Sequence, residues 1–144
     1  MKTKKKKEKK VNWKKECWKW FSIYIRLKYA NFFGRVKCYT CDKVMWWKGN
    51  GAQAGHFQGG RTNSVLLDER GVRVQCYACN CGRSGEQYIF GKNLEKEIGE
   101  EAVMELKKKK HETVKVSPKE WEQYASHYQA EAVKLAVKKG LEIN

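Results

Sequence analysis

"VQCYACNCGRSG", residues 74–85, decides how the chain is read: a Cys-x-x-Cys knuckle, Cys76 and Cys79, with an asparagine directly behind it and glycines that punctuate the turn. A matching knuckle lies upstream in "KCYTCDK", at Cys38 and Cys41. Two such pairs can supply four thiolates in the tetrahedral arrangement that suits a structural zinc ion. The 34 residues between Cys41 and Cys76 exceed the usual ribbon spacing, and a hairpin inserted there accounts for them without disturbing the ligands. A redox pair and unliganded buried cysteines are the other readings open to the same residues. Cys17 and Cys81 are left over, and the spacing of Cys81 from Cys79 breaks the knuckle pattern.

Outward from the knuckles, charge is distributed unevenly. The 144 residues carry a formal charge of +15, and residues 1–37 hold 14 basic side chains against 2 acidic ones. The excess therefore belongs to a front arm, "MKTKKKKEKK", and to the segment behind it. Lys4, Lys5, Lys6 and Lys7 suit the phosphates of a nucleic acid, although a lysine run alone is equally a solubilising tail. The apolar part that follows, "CWKWFSIYIRLKYANFF", is broken by Lys19, Arg26 and Lys28, which argues against both a secretory signal and a membrane span. The expected setting is thus cytoplasmic and reducing, where paired cysteines bind metal more often than they form disulfides.

Trp13, Cys17, Trp20, Phe21, Tyr24 and Leu27 recur at helical intervals, which predicts an amphipathic basic helix over 13–34 ended by Gly34. From Val36 to about Tyr88 the chain reads as short strands and tight turns, with a turn at Gly49-Asn50-Gly51 and apolar clusters on both sides of Gly71. Two helical pieces separated at Gly99 follow, with Leu94, Ile98, Val103 and Leu106 as their buried set. Residues 107–116 read as a basic linker and 117–144 as a C-terminal helix. Ser117 is its N-cap, Pro118 opens its first turn, Glu120 completes a capping box and Gly140 is its stop. Its stripe of Trp121, Tyr124, Ala125, Tyr128, Ala132 and Leu135 is packing surface, for this domain or for a second subunit.

A four-thiolate zinc site has no open position for substrate, so any chemistry has to come from the segment between and just after the knuckles. That segment presents His56, Asn80 and the arginines Arg61, Arg70, Arg73 and Arg83. A neutral histidine can take a proton from water, and an asparagine carbonyl is a hard oxygen ligand for Mg²⁺ or Mn²⁺. With arginines for phosphate, these are the parts that phosphodiester hydrolysis requires.

The ordered series C-x-x-C, A-G-H-F, Q-C-x-x-C-N and S-G, followed by "LEKEIGEEAVMEL", resembles the NinG/Rap family of phage recombination proteins, zinc-bearing relatives of the HNH (ββα-metal) endonucleases. The resemblance covers about residues 20 to 130. It implies an α+β fold in which a small zinc-stabilised ββα-metal core over 36–106 is flanked by N-terminal and C-terminal helices, behind a flexible arm at 1–12. It implies zinc on Cys38, Cys41, Cys76 and Cys79. His56 becomes the general base, Asn80 a ligand of a catalytic Mg²⁺ or Mn²⁺, and Arg83 a phosphate contact. Read from the residues and not from the resemblance, Arg26, Arg61 and Arg73 join the arm lysines as expected DNA contacts. The implied activity is metal-dependent cleavage of branched recombination intermediates such as Holliday junctions or D-loops, in the cytoplasm of a phage-infected or lysogenic bacterial host.

Three positions depart from the pattern. Gly71 stands where a central asparagine braces the hairpin, Gln53 where relatives can have aspartate, and Gly55 where many HNH enzymes have an aspartate ligand. Asp68 and Glu69 are the carboxylates left to reach the ion. Two further readings stay open on the residues themselves: a zinc-dependent DNA-binding recombination accessory protein without catalysis, and an interaction module whose C-terminal stripe makes a homodimer.

Overall fold

The computed structural model describes residue 3, residues 5–59 and residues 62–144; Lys4 and Arg61, both expected on DNA, lie outside the described residues. Helix α1 spans Trp13–Tyr29, started by the Asn12 side chain, which accepts from the Lys15 N–H at 3.1 Å. Cys17, Phe21, Ile25 and Leu27 are its buried face. They meet α4 (Pro118–Lys139), whose buried set of Trp121, Ala125, Tyr128, Ala132 and Ala136 brings three alanines to the seam and lets the backbones approach. Phe21 stands edge-on to Tyr128 at 4.8 Å. Each fully buried Phe, Ile or Leu contributes about 1.5–3 kcal/mol, against about 1 kcal/mol for a helix cap, so this seam and not the caps holds the helical pair. Apart from the exposed Tyr124, the stripe expected to serve either the domain or a second chain is therefore covered within the chain, chiefly by α1.

Helix α1 stops at Tyr29, five residues short of the expected Gly34. The reason lies far along the sequence: the Lys139 ammonium donates to the carbonyls of Leu27 (2.6 Å), Lys28 (3.1 Å) and Ala30 (2.6 Å), taking the orphan acceptors of the last turn. Asn31 then shapes the exit, its Oδ1 accepting from the N–H groups of Phe33 and Arg35.

Two antiparallel hairpins follow. In the first, β1 (Arg35–Lys37) pairs with β2 (Val44–Trp46), and only the central residues Val36 and Met45 face inward. In the second, β3 (Ala52–His56) pairs with β4 (Val72–Cys76), with Gln53 opposite Gln75, Gly55 opposite Arg73 and His56 opposite Val72. Every residue of β4 is buried, under α1 on one side and against the first knuckle on the other, where the Tyr39 N–H donates to the Val74 carbonyl at 2.8 Å.

The apolar cluster at Val65–Leu67 was expected as a strand and is a turn. Thr62 offers its carbonyl to Val65 and Leu66, and Asp68 caps the short helical turn Glu69–Gly71. Short polar side chains that bond their own backbone outcompete a ladder here. Helices α2 (Gln87–Ile98) and α3 (Glu100–Lys109) break at Gly99 as the sequence predicts, at a φ of 91°. Leu94, Val103 and Leu106 pack with Phe57 and Phe90, and Ile98 lies partly buried against them. The basic linker expected from 107 begins later, because α3 continues through Lys109 and both neighbouring lysines are engaged. Lys109 binds Asp68 at 2.9 Å and Lys110 donates to the Gln58 carbonyl. Helix α4 has the predicted ends, with Ser117 accepting from the Glu120 N–H at 3.2 Å and Gly140 left-handed at φ 65°. The architecture is α+β, and among the described residues no helix is long and apolar enough to cross a membrane.

Candidate metal centre and active site

Four sulfurs from two remote segments converge. Cys38 follows β1 and Cys41 the tight turn behind it, where Asp42 is left-handed at φ 61° and the Cys38 N–H donates to the Lys43 carbonyl at 2.8 Å. Cys76 ends β4, and Cys79 sits in a single π-helical turn, Ala78–Gly82. All four Sγ atoms lie within 4.8 Å of one another, and the cysteines are unbridged. A tetrahedral zinc with Zn–S bonds of ~2.3 Å holds its sulfurs about 3.8 Å apart. The Cys41 and Cys76 Sγ atoms are separated by 3.7 Å, which fits.

The electrostatics of the cluster point the same way. Burial pushes the Cys38 thiol up, but backbone amides at Cys76, Thr40 and Cys41 and the Thr40 hydroxyl bring it down to about 6. At Cys41 the Lys43 amide lowers the thiol, yet burial and the three neighbouring sulfurs together push it up to about 12. One thiolate is favoured and a second is opposed, which is the condition a divalent cation relieves. Arg83 adds positive charge at the rim, its Nη1 donating to Cys79 Sγ at 3.2 Å. The residues fit a structural metal such as zinc, held by Cys38, Cys41, Cys76 and Cys79.

The second centre lies across β4 from the first. His56 closes β3 and is 7% exposed, its ring stacked on Trp18 with centroids 5.0 Å apart. Its Nε2 is 2.9 Å from the Leu66 carbonyl. A carbonyl can only accept, so the neutral ring carries its proton on Nε2 and its lone pair on Nδ1. Asn80 comes from the π-helical turn, a local conformation that often marks functional sites. Its Nδ2 donates to Gln53 Oε1 at 2.7 Å, leaving Oδ1 directed towards Gly55. His56 and Asn80 line one cavity of about 270 Å³, together with Trp18, Gly85 and Gln87.

A family model for bacteriophage lambda NinG protein matches residues 1–139. The chain belongs to the NinG family. No curated protein and no solved structure matches it.

Within this NinG-family chain the remaining expected contacts separate into two groups. Arg26 does come near the site: it donates to the carbonyls of Ser22 and Trp47, lies over the Trp47 ring and lines a second cavity of about 410 Å³ with Gln53, Asn80 and Cys81. Burial lowers the pKa of its guanidinium. Lys5, Lys6 and Lys7 are exposed ahead of α1, and Lys14 and Lys15 line a cavity with Trp18 on the His56 side. Arg83 is on the zinc side, between Cys79 and Glu86, whose carboxylate is 3.8 Å from its Nε.

Arg73 is corrected outright. Expected on DNA, it has a side chain only 5% exposed, paired with Glu97 at 3.1 Å, bonded to the carbonyls of Glu69 and Val72 and flanked by the rings of Tyr29 and Tyr39. It is a buried brace. The two spare carboxylates are also occupied elsewhere. Asp68 is held by Arg70 and Lys109, and Glu69 accepts from the Tyr24 hydroxyl at 2.8 Å and pairs with Lys28 at 3.2 Å.

Sequence reasoning missed Trp18, Leu66, Gln75 and Gln87. Trp18 lies off the helical stripe, and Leu66 acts through its carbonyl, which no side-chain pattern announces. Gln87 donates to the His56 carbonyl at 3.3 Å and accepts from the Gln58 N–H. Gln75 had a signal, since it directly precedes the second knuckle inside the Q-C-x-x-C-N motif.

Proposed function

We propose that the protein is a metal-dependent DNA endonuclease of HNH type, related to the Rap proteins, that acts in phage recombination on branched DNA such as Holliday junctions or D-loops. The NinG family supports the coarse part of this reading, a phage recombination-related protein. One observation carries the finer part: the His56 ring is pinned through Nε2 to the Leu66 carbonyl, and it shares a cavity with the asparagine that directly follows the second knuckle. A histidine fixed in one tautomer offers Nδ1 as a general base, which is worth about 10²–10⁴ in rate. Asn80 and its neighbours would hold a divalent ion, which when bound supplies electrostatic stabilisation at the phosphate and leaving oxygen. Within the chain, Trp18 fixes the imidazole plane, Gln87 holds the strand end at His56, and Arg26 brings a cation to the wall of the cavity it shares with Asn80. Attack by water with loss of the 3′ oxygen leaves 5′-phosphate ends.

The single zinc site would organise the π-helical turn that carries Asn80 and take no part in the reaction. The arm lysines and the start of α1 would hold the DNA backbone without reading sequence, so binding should weaken steeply with salt. Two chains working as a homodimer would deliver paired cuts to a four-way junction, using a surface other than the α1–α4 seam.

A second reading, a zinc-dependent DNA-binding accessory protein without catalysis, is favoured by one observation: Asp68 and Glu69 are both committed to structural partners, so neither brings a carboxylate to Asn80. Incubation of labelled four-way junction and matched duplex with Mg²⁺, with Mn²⁺ and with EDTA separates the two. Cleavage in Mn²⁺ or Mg²⁺ that falls at least a hundredfold in His56→Ala is expected for the nuclease. Binding without metal-dependent cleavage by the wild type supports the accessory protein.

A further inference from the structure

Gln75 is fully buried in β4, and its amide is oriented without ambiguity. Nε2 donates to the Gly85 carbonyl at 2.8 Å and to Thr40 Oγ1 at 3.1 Å. Because the Gly85 carbonyl can only accept, the oxygen has to point the other way. That oxygen, Oε1, has no hydrogen-bond partner, one of two such buried side-chain atoms among the described residues. Buried acceptors are almost always satisfied, so this orphan asks for an explanation, and a bound ion is one.

Gly55 shows where the oxygen points. A Cβ built on Gly55 would lie 2.0 Å from Gln75 Oε1 and 3.1 Å from Asn80 Oδ1. Two amide oxygens, from β4 and from the π-helical turn, thus converge on the face of β3 that only glycine leaves open. A side chain at 55 would have to displace the Gln75 amide, whose oxygen fills its space from the neighbouring strand. Amide oxygens are hard donors of the kind that Mg²⁺ and Mn²⁺ accept.

We infer that Gln75 Oε1 and Asn80 Oδ1 form the divalent-cation seat of this protein, with the Gln75 amide standing where a carboxylate at position 55 would otherwise supply the ligand. The inference rests on the ion-dependent nuclease reading for its purpose, though not for its geometry. Both donors are neutral. The seat is therefore weaker than a carboxylate site and favours Mn²⁺, because Mg²⁺ gives up its hydration water reluctantly and demands a near-ideal octahedron. It is also coupled to the zinc cluster, since Thr40 Oγ1, which receives the Gln75 amide, lies 3.6 Å from Cys38 Sγ, and the Gly85 N–H is bonded to the Cys79 carbonyl at 2.8 Å.

The test titrates Mn²⁺ into the zinc-loaded, isotope-labelled full chain and reads paramagnetic broadening by NMR. Broadening should be strongest at the Gly55 N–H and at the side-chain amides of Gln75 and Asn80, and Gln75→Met should weaken Mn²⁺ binding at least tenfold while retaining zinc. Broadening centred elsewhere, or none, overturns the inference, as does a zinc-loaded Gln75→Met that binds Mn²⁺ like the wild type. If Gln75→Met fails to keep zinc, the wild-type broadening pattern decides alone. Junction cleavage is assayed in parallel. Cleavage with broadening elsewhere sinks the seat and keeps the nuclease, whereas broadening at Gly55 and Gln75 without cleavage under any ion keeps the seat and sinks the nuclease.

Discussion

The two hairpins are built alike and used oppositely. The first, β1–β2, alternates in the ordinary way, with Arg35, Lys37, Val44 and Trp46 outward and Val36 and Met45 inward. The second, β3–β4, is buried almost throughout, yet it carries a glutamine, an arginine and a histidine at buried positions. Polar groups in that situation are costly unless partnered, and most of them are partnered here by groups remote in sequence. A solvent-facing hairpin tolerates its charges individually. A buried one turns each polar residue into part of a network, which is how a short strand pair can hold a histidine still.

The largest break in this contrast should come from removing the metal, because both hairpins end in the same sulfur cluster. Structural zinc contributes on the order of 10 kcal/mol in small zinc domains. Chelation under reducing conditions, followed by circular dichroism, should abolish the cooperative melt, and Cys76→Ser should do the same. A chelated protein that melts as before would remove the cluster from the account of the fold.

Next in size is a paired arginine test, one residue from each hairpin. Arg73→Ala leaves the carbonyls of Glu69, Arg70 and Val72 and the Glu97 carboxylate without their donor and should cost about 3 kcal/mol. Arg35→Ala, on the exposed edge over Trp46, should cost less than about 0.5 kcal/mol. Urea denaturation of the two variants reads the difference, and equal effects would show that β4 is not the buried member. A glycine pair sharpens the same point. Gly55→Ala drives a methyl against Gln75 Oε1 and should cost about 1–3 kcal/mol, whereas Gly51→Ala, with nothing within 4 Å of its added carbon, should be close to neutral.

The sequence disclosed what is local. The knuckles, the break at Gly99 and both ends of α4 follow from spacing and capping chemistry, and they stand where expected. What stayed hidden depends on partners far along the chain. The end of α1 is set by Lys139, more than a hundred residues away, and a basic residue near a C-terminus has many other uses. Arg73 looked like a phosphate contact because five donors in a cationic protein usually are one, and nothing in its neighbours announces Glu97 or the two tyrosine rings. At the site, His56 and Asn80 were legible as motif residues, but the meaning of Gly55 was not. Its missing side chain reads in sequence as a lost ligand and in space as room for the oxygen of Gln75.

The smallest effect concerns the loop that supplies the Leu66 carbonyl to His56, and it can be isolated by pH. Asp68 anchors this loop to α3, accepting from Arg70 and from Lys109 at 2.9 Å. Burial alone would raise its carboxyl, but the Arg70 and Lys109 bonds prevail and hold it at about 2, below an ordinary value near 3.8. A depressed carboxyl stabilises the fold above the unfolded-state value and loses that contribution as pH falls through the folded one. Its side chain is 9% exposed, so the full contribution should be roughly 1–2 kcal/mol at neutral pH. Asp68→Asn should thus lower stability by that amount at pH 7, with the gap to wild type narrowing progressively below about pH 4 as the carboxylate is protonated. Because the same loop fixes the His56 tautomer, the variant should also loosen the hydrogen bond from Nε2, which imidazole ¹⁵N shifts report directly. A pH-independent gap would assign the loss to packing, and an unchanged imidazole would show that the loop holds His56 without help from Asp68.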